Sequence, residues 1–162
     1  MFRARLRSLA APVRTAVLVL CVACAGEELP GNYFEVRLEG VENDCTGDAA
    51  DYADTIEYRL TTDVNDATLA IEDDVFGTGT LEGCQLTYTS LVWTSYRDNQ
   101  EVTWQILGDA RIDLGGGDGC VEAGSDWEGT ETFVILSSNA DDVAAGCTYT
   151  VGVSGTFSRI VE

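Results

Sequence analysis

Histidine and lysine are both absent from the 162 residues, and all nine basic side chains are arginine. Without histidine there is no Ser-His-Asp or Cys-His nucleophile pair and no histidine-ligated zinc hydrolase; without lysine there is no Schiff-base catalysis and no P-loop lysine. Nucleic acid is a poor partner on charge, because 28 acidic residues against nine arginines leave a formal charge of −19 and a surface that repels a polyphosphate. A D-[TS]-G protease signature and an apolar run long enough to span a membrane are also missing.

The first 23 residues differ in composition from the rest of the chain. Arg3, Arg5, Arg7 and Arg14 precede or flank an apolar run from Ala16 to Ala23, and no carboxylate appears before Glu27. This is the layout of a secretory signal peptide. The run closes as Leu20-Cys21-Val22-Ala23-Cys24-Ala25-Gly26, and here the segment resembles a bacterial lipoprotein signal, departing from it at Cys21, where that family usually has leucine. The resemblance implies cleavage before Cys24, a lipid on Cys24 and, because Ala25 is not aspartate, an outer-membrane address. Residues 1–23 are then the leader, 24–30 a lipid-anchored linker and 31–162 a single β domain. The alternative is cleavage after Ala25, which releases a soluble product beginning at Gly26. Four of the nine arginines leave with the leader, so the mature chain carries −23. Such a charge favours solubility in an extracellular or saline setting.

Beyond Cys24 the cysteines are Cys45, Cys84, Cys120 and Cys147, separated by 39, 36 and 27 positions. An even number at wide spacing in an exported chain predicts two disulfides rather than a thiolate metal site.

From Gly31 onward the hydrophobic pattern has period two, which predicts an all-β domain. Eight strands are expected: Tyr33 to Val41, Thr55 to Thr62, Ala67 to Ile71, Val75 to Leu81, Cys84 to about Tyr96, Glu101 to Asp113, Trp127 to Ser137 and Gly146 to Ile160. The period weakens near Thr130 to Ile135, suggesting a bulge or a strand covered on both faces. Asn139 to Ala145 is the single candidate for a turn of helix. Short connections make this an antiparallel meander, either an up-and-down barrel or a sandwich. The segments DWEGTETF from Asp126 and GCTYTVGVSGTF from Gly146 are similar to disulfide-bearing β-rich bacterial lipoproteins, a resemblance that implies no activity. In a meander, Cys45 follows strand one and Cys147 begins strand eight, at one end; Cys84 and Cys120 lie at the other. Cys45–Cys147 with Cys84–Cys120 is then the connectivity that keeps each pair within disulfide reach.

Carboxylates are the abundant reactive groups, so the surviving enzymatic idea is a two-carboxylate glycan hydrolase. Surface solvation accounts for acidic residues without catalysis, and no enzyme is expected. Gly115-Gly116-Gly117-Asp118-Gly119 lacks the lysine and helix of a P-loop and reads as a connection. No cofactor is expected; calcium is the one cation the chain invites, with Asp44, Asp48, Asp51 and Asp54 offering oxygen ligands after strand one. Tyr58, Trp104, Tyr149 and Phe157 fall on interior faces, whereas Trp93 and Tyr96 near the tip of the long hairpin suit a contact patch. The resulting expectation is a non-catalytic, lipid-anchored envelope protein with an interaction or structural role. Its partners would be the membrane, through the lipid, and an envelope protein or small ligand. The alternative is a lipocalin-like barrel carrying a small ligand.

Overall fold

A computed structural model describes residues 28–45, 53–97, 99–114, 120–121, 125–141 and 143–162. The strands are β1 (Gly31–Asn43), β2 (Ala53–Asp63), β3 (Asp66–Ile71), β4 (Asp74–Glu82), β5 (Gln85–Ser90), β6 (Trp93–Arg97), β7 (Gln100–Ile112), β8 (Trp127–Ser138) and β9 (Thr148–Val161). All pair antiparallel in the order β5-β4-β3-β2-β1-β9-β8-β7-β6, and an additional β5–β7 pairing closes the sheet. The result is an eight-stranded barrel of β1, β2, β3, β4, β5, β7, β8 and β9, with β6 as an extra strand. It is a barrel and not a sandwich because the first and last strands pair along most of their length, from Gly31↔Val161 to Asn43↔Tyr149. Closure leaves those two long strands without an exposed edge.

Alternation decides what lies inside. Phe34, Val36 and Leu38 of β1, Tyr58 and Leu60 of β2, and Leu69 of β3 form one side of the interior. Phe76, Leu86, Tyr88, Ile106, Ala110, Ile112, Trp127, Val151 and Val153 complete it. The largest residues meet edge to face or tilted, as in Phe34 against Trp127 at 5.2 Å and Tyr58 against Trp127 at 5.6 Å between ring centroids. Room for these rings comes from small residues in register beside them. Tyr88 is flanked by Gly79 on β4 and Gly108 on β7. A Cβ at Gly108 would stand 2.0 Å from Tyr88 Cζ, so the ring occupies the space a side chain would need. The interior is a packed core built from alternating large and small residues. The four residues Tyr58, Trp104, Tyr149 and Phe157 read as interior belong to it, Tyr58 buried and the other three packed against its margins.

One strand departs from expectation. The segment expected to run unbroken from Cys84 to Tyr96 is two strands, because β5 pairs β7 up to Thr89↔Leu107 and β6 resumes at Trp93↔Trp104. Three residues, 90 to 92, thus stand opposite two on β7, a bulge. The reason is a change of partners: the Leu91 N–H donates to the Phe76 carbonyl at 2.9 Å, while Ser90 Oγ accepts from the Ile106 N–H at 2.8 Å in place of a backbone carbonyl. A second irregularity, between Thr103 and Trp104, leaves Leu136 as the extra residue of β8, just past the stretch where the period weakens. The described residues of 139–147 form turns and bends rather than a turn of helix, held by Gly146 N–H to Ile135 O at 2.7 Å, and β9 begins at Thr148.

Candidate functional site

The barrel has two ends of different character. One carries the Gly31 end of β1, the β2–β3 and β4–β5 turns and the β7–β8 connection, and there Cys84 bonds Cys120. The other carries the β1–β2 and β8–β9 connections, the β3–β4 turn and the β6–β7 tip, and there Cys45 bonds Cys147. Both disulfides are those the meander requires.

At the Cys45–Cys147 end one wall stands higher than the other. The β6–β7 hairpin runs on past the last bond that ties this segment to β4, while the neighbouring β3–β4 hairpin turns back at Glu72 and Asp73. The inner face of the tall wall carries a row of four aromatic rings, one from each of β6, β7, β8 and β9. Trp93 stacks on Trp104 at 6.3 Å, Trp104 meets Phe133 at 5.5 Å and Phe133 meets Tyr149 at 5.1 Å. Alternation from Ile112 and Ile106 brings Trp104 to this face, and Trp104 Nε1 donates to Ser95 Oγ at 3.1 Å, fixing the ring against β6. The rings nearest the core are half-buried; Trp93 is 38% exposed, and Leu91, Val92 and Tyr96 are 52%, 56% and 76% exposed. Of the two residues expected to lie outside the core, Tyr96 is on the outer face of the hairpin, whereas Trp93 is on its inner face against Trp104. Among the described residues nothing pairs with the edge of β6 that faces away from β7. Across that edge lies the end of β4 and its turn, with Glu72, Asp73 and Asp74 exposed.

The second feature is internal and was not foreseen. Glu131 is fully buried, and its Oε1 accepts hydrogen bonds from Tyr58 Oη at 2.8 Å and from Tyr88 Oη. Burial pushes the Glu131 carboxyl up, and the two hydroxyl donors bring it part of the way back. Burial also drives Tyr88 well above the usual phenol range, with the nearby Glu131 charge adding to it. Glu131 Oε2 and Trp127 Nε1 have no hydrogen-bond partner among the described residues. The signal was available in alternation, since Trp127, Gly129, Glu131 and Phe133 share one parity, but a glutamate among 28 acidic residues does not announce itself as the inward one.

Of the calcium candidates, Asp48 and Asp51 lie outside the described residues, as does the lipid-bearing candidate Cys24. Asp54 stands opposite Leu38 and accepts from the Thr55 N–H at 2.8 Å, whereas Asp44 lies six residues farther along the chain from Leu38 and accepts from Thr148 Oγ1 at 3.1 Å. The structure does not bring these two together, being separated by roughly 15 to 20 Å of strand rise. Among the described residues no three metal-ligating side chains converge, and no helix is long and apolar enough to cross a membrane.

Comparison with protein-family models, with curated proteins and with solved structures finds no match.

Proposed function

We propose that the chain is a non-catalytic, lipid-anchored protein of the cell envelope that works by contact through the tall wall at the Cys45–Cys147 end. The observation that carries this reading is the distribution of apolar surface. The interior is filled by its own side chains, from Trp127 to Leu86, while Leu91, Val92, Trp93 and Tyr96 are displayed together on a projecting hairpin. Solvated apolar groups grouped in this way mark interaction sites. The anchor suits this arrangement. Cys24 precedes Gly31 by seven residues, at most about 25 Å of extended chain, so the lipid would hold the Cys84–Cys120 end toward the membrane and present the hairpin outward.

A photo-crosslinking residue at position 96, and one at Val64 at the opposite end as control, tests the contact. Protein adducts from position 96 alone are expected, lipid adducts being set aside at both positions, and equal protein labelling from both would refute the reading. For the anchor, the mass of the N-terminal peptide decides: a diacylglyceryl Cys24 supports it and a free Gly26 amine ends it.

The small-ligand carrier is kept as a second reading on one observation, the convergence of Tyr58, Tyr88 and Glu131 with one carboxyl oxygen unpartnered among the described residues. Native mass spectrometry of the purified chain separates the two, since a carrier of this type would show a bound mass that Glu131→Gln diminishes.

A further inference from the structure

We infer that the outer edge of β6 receives an extended, basic polypeptide segment, added to the barrel wall as a tenth strand. This names the partner class for the contact surface proposed above and rests on that reading.

The argument begins with backbone. β6 is held on one side by β7, from Trp93↔Trp104 to Arg97↔Gln100, and its other side is unpaired among the described residues. An edge strand directs alternate N–H and C=O groups outward, and proteins usually blunt such an edge with lysine, proline or an inward-pointing charge. The one charged residue of β6 is Arg97 at its end; Trp93-Thr94-Ser95-Tyr96 contain neither charge nor proline. The bulge at residues 90 to 92 is what frees this edge. The last bond between this segment and β4 is Leu91 N–H to Phe76 O, beyond which β4 and β6 part.

Side chains then select the occupant. A strand laid along β6 would place alternate residues beside Trp93 on the inner face and beside Tyr96 on the outer face, because successive side chains point to opposite sides. Both rings are exposed enough to be stacked upon, and a guanidinium or ammonium over such a ring gains cation–π attraction. On the far side of the gap stand Glu72, Asp73 and Asp74, all exposed. The whole chain is acidic at −19, so a second copy offering its own β6 would be repelled, while a basic segment would be drawn in. Main-chain bonds would supply affinity and the flanking rings and carboxylates the choice of sequence.

The test uses the full chain and a synthetic ten-residue peptide of alternating arginine and threonine, followed by amide hydrogen exchange. A second peptide of the same sequence and charge is N-methylated at alternate residues, which removes donors along one edge. The expected result is added protection confined to residues 91–97 with the unmodified peptide, about tenfold or more weaker binding of the methylated one, and a threefold to tenfold loss on Asp73→Asn/Asp74→Asn. These two side chains are exposed, so the double variant leaves the fold intact. Absence of protection at millimolar peptide, equal binding of the methylated peptide, or a dimer whose protection at 91–97 exists without peptide would each overturn the inference. Crosslinking from position 96 reports separately on the contact reading: adducts there without peptide protection remove only the strand-addition inference, and loss of both removes the reading as well.

Discussion

Replacing Glu131 by glutamine isolates what a carboxyl group at the centre of the barrel does to stability. Glutamine keeps the shape of the side chain and an oxygen for the Tyr58 and Tyr88 hydroxyls, and removes ionisation alone. Because burial raises the Glu131 carboxyl, the folded protein holds that proton more tightly than the unfolded chain. The contribution is therefore fully present below the unfolded carboxyl pKa of about 4.3 and is lost as pH rises through the raised folded value. Over that window the native protein should lose about 1.4 kcal/mol per pH unit relative to Glu131→Gln. Glu131→Leu, similar in size, leaves both hydroxyls without their acceptor at a cost of about 1 to 3 kcal/mol each, roughly 2 to 6 in all, at every pH. Tyr58→Phe should cost about 0.5 to 1.5 kcal/mol on the acid side, where the acceptor is a neutral acid, and about 1.5 to 3 once it is ionised. The assay is urea denaturation from pH 4 to 8, followed by tryptophan fluorescence and far-ultraviolet circular dichroism in parallel. Stability lines for the native protein and Glu131→Gln that stay parallel over the whole range would refute the reasoning, since they would mean that the carboxyl titrates alike in both states.

Gly108→Ala forces a methyl into the Tyr88 ring and should destabilise by about 3 kcal/mol, the upper end of ordinary overpacking; Tyr88→Leu in the same chain should recover part of the loss in a urea titration. Removing Cys45–Cys147 by paired serine substitution should cost about 1 kcal/mol more than removing Cys84–Cys120. The bridges span 102 and 36 positions, and the chain-entropy term grows with the logarithm of the loop; equal midpoints in denaturation of the two variants would contradict this. Val64 is 91% exposed at a φ of 58° in the β2–β3 turn, a left-handed conformation that a β-branched residue adopts at a cost and asparagine tolerates. Val64→Asn should therefore raise stability by about 1 kcal/mol, visible as a higher melting temperature by calorimetry.

The disulfide pairing, the all-β class and seven of the eight expected strands were legible in the sequence because each follows from a local rule applied along the chain. Alternation sets the faces, Gly and Asp clusters mark the turns, and a meander puts odd and even connections at opposite ends, which leaves Cys45 with Cys147 and Cys84 with Cys120. The absence of histidine and lysine removed whole classes of chemistry without any structure. What tertiary structure alone decided is what depends on register between strands distant in sequence. Closure by β1 on β9 distinguishes a barrel from a sandwich, and alternation is the same in both. The break at Leu91 and Val92 arises because Phe76 of another strand captures a backbone donor, and that break exposes the β6 edge. Glu131 became a buried acid only when closure brought Tyr58, 73 positions away, and Tyr88, 43 positions away, to the same oxygen. Period two says that a residue points inward; which residue it meets there is set by the shear and closure of the whole sheet.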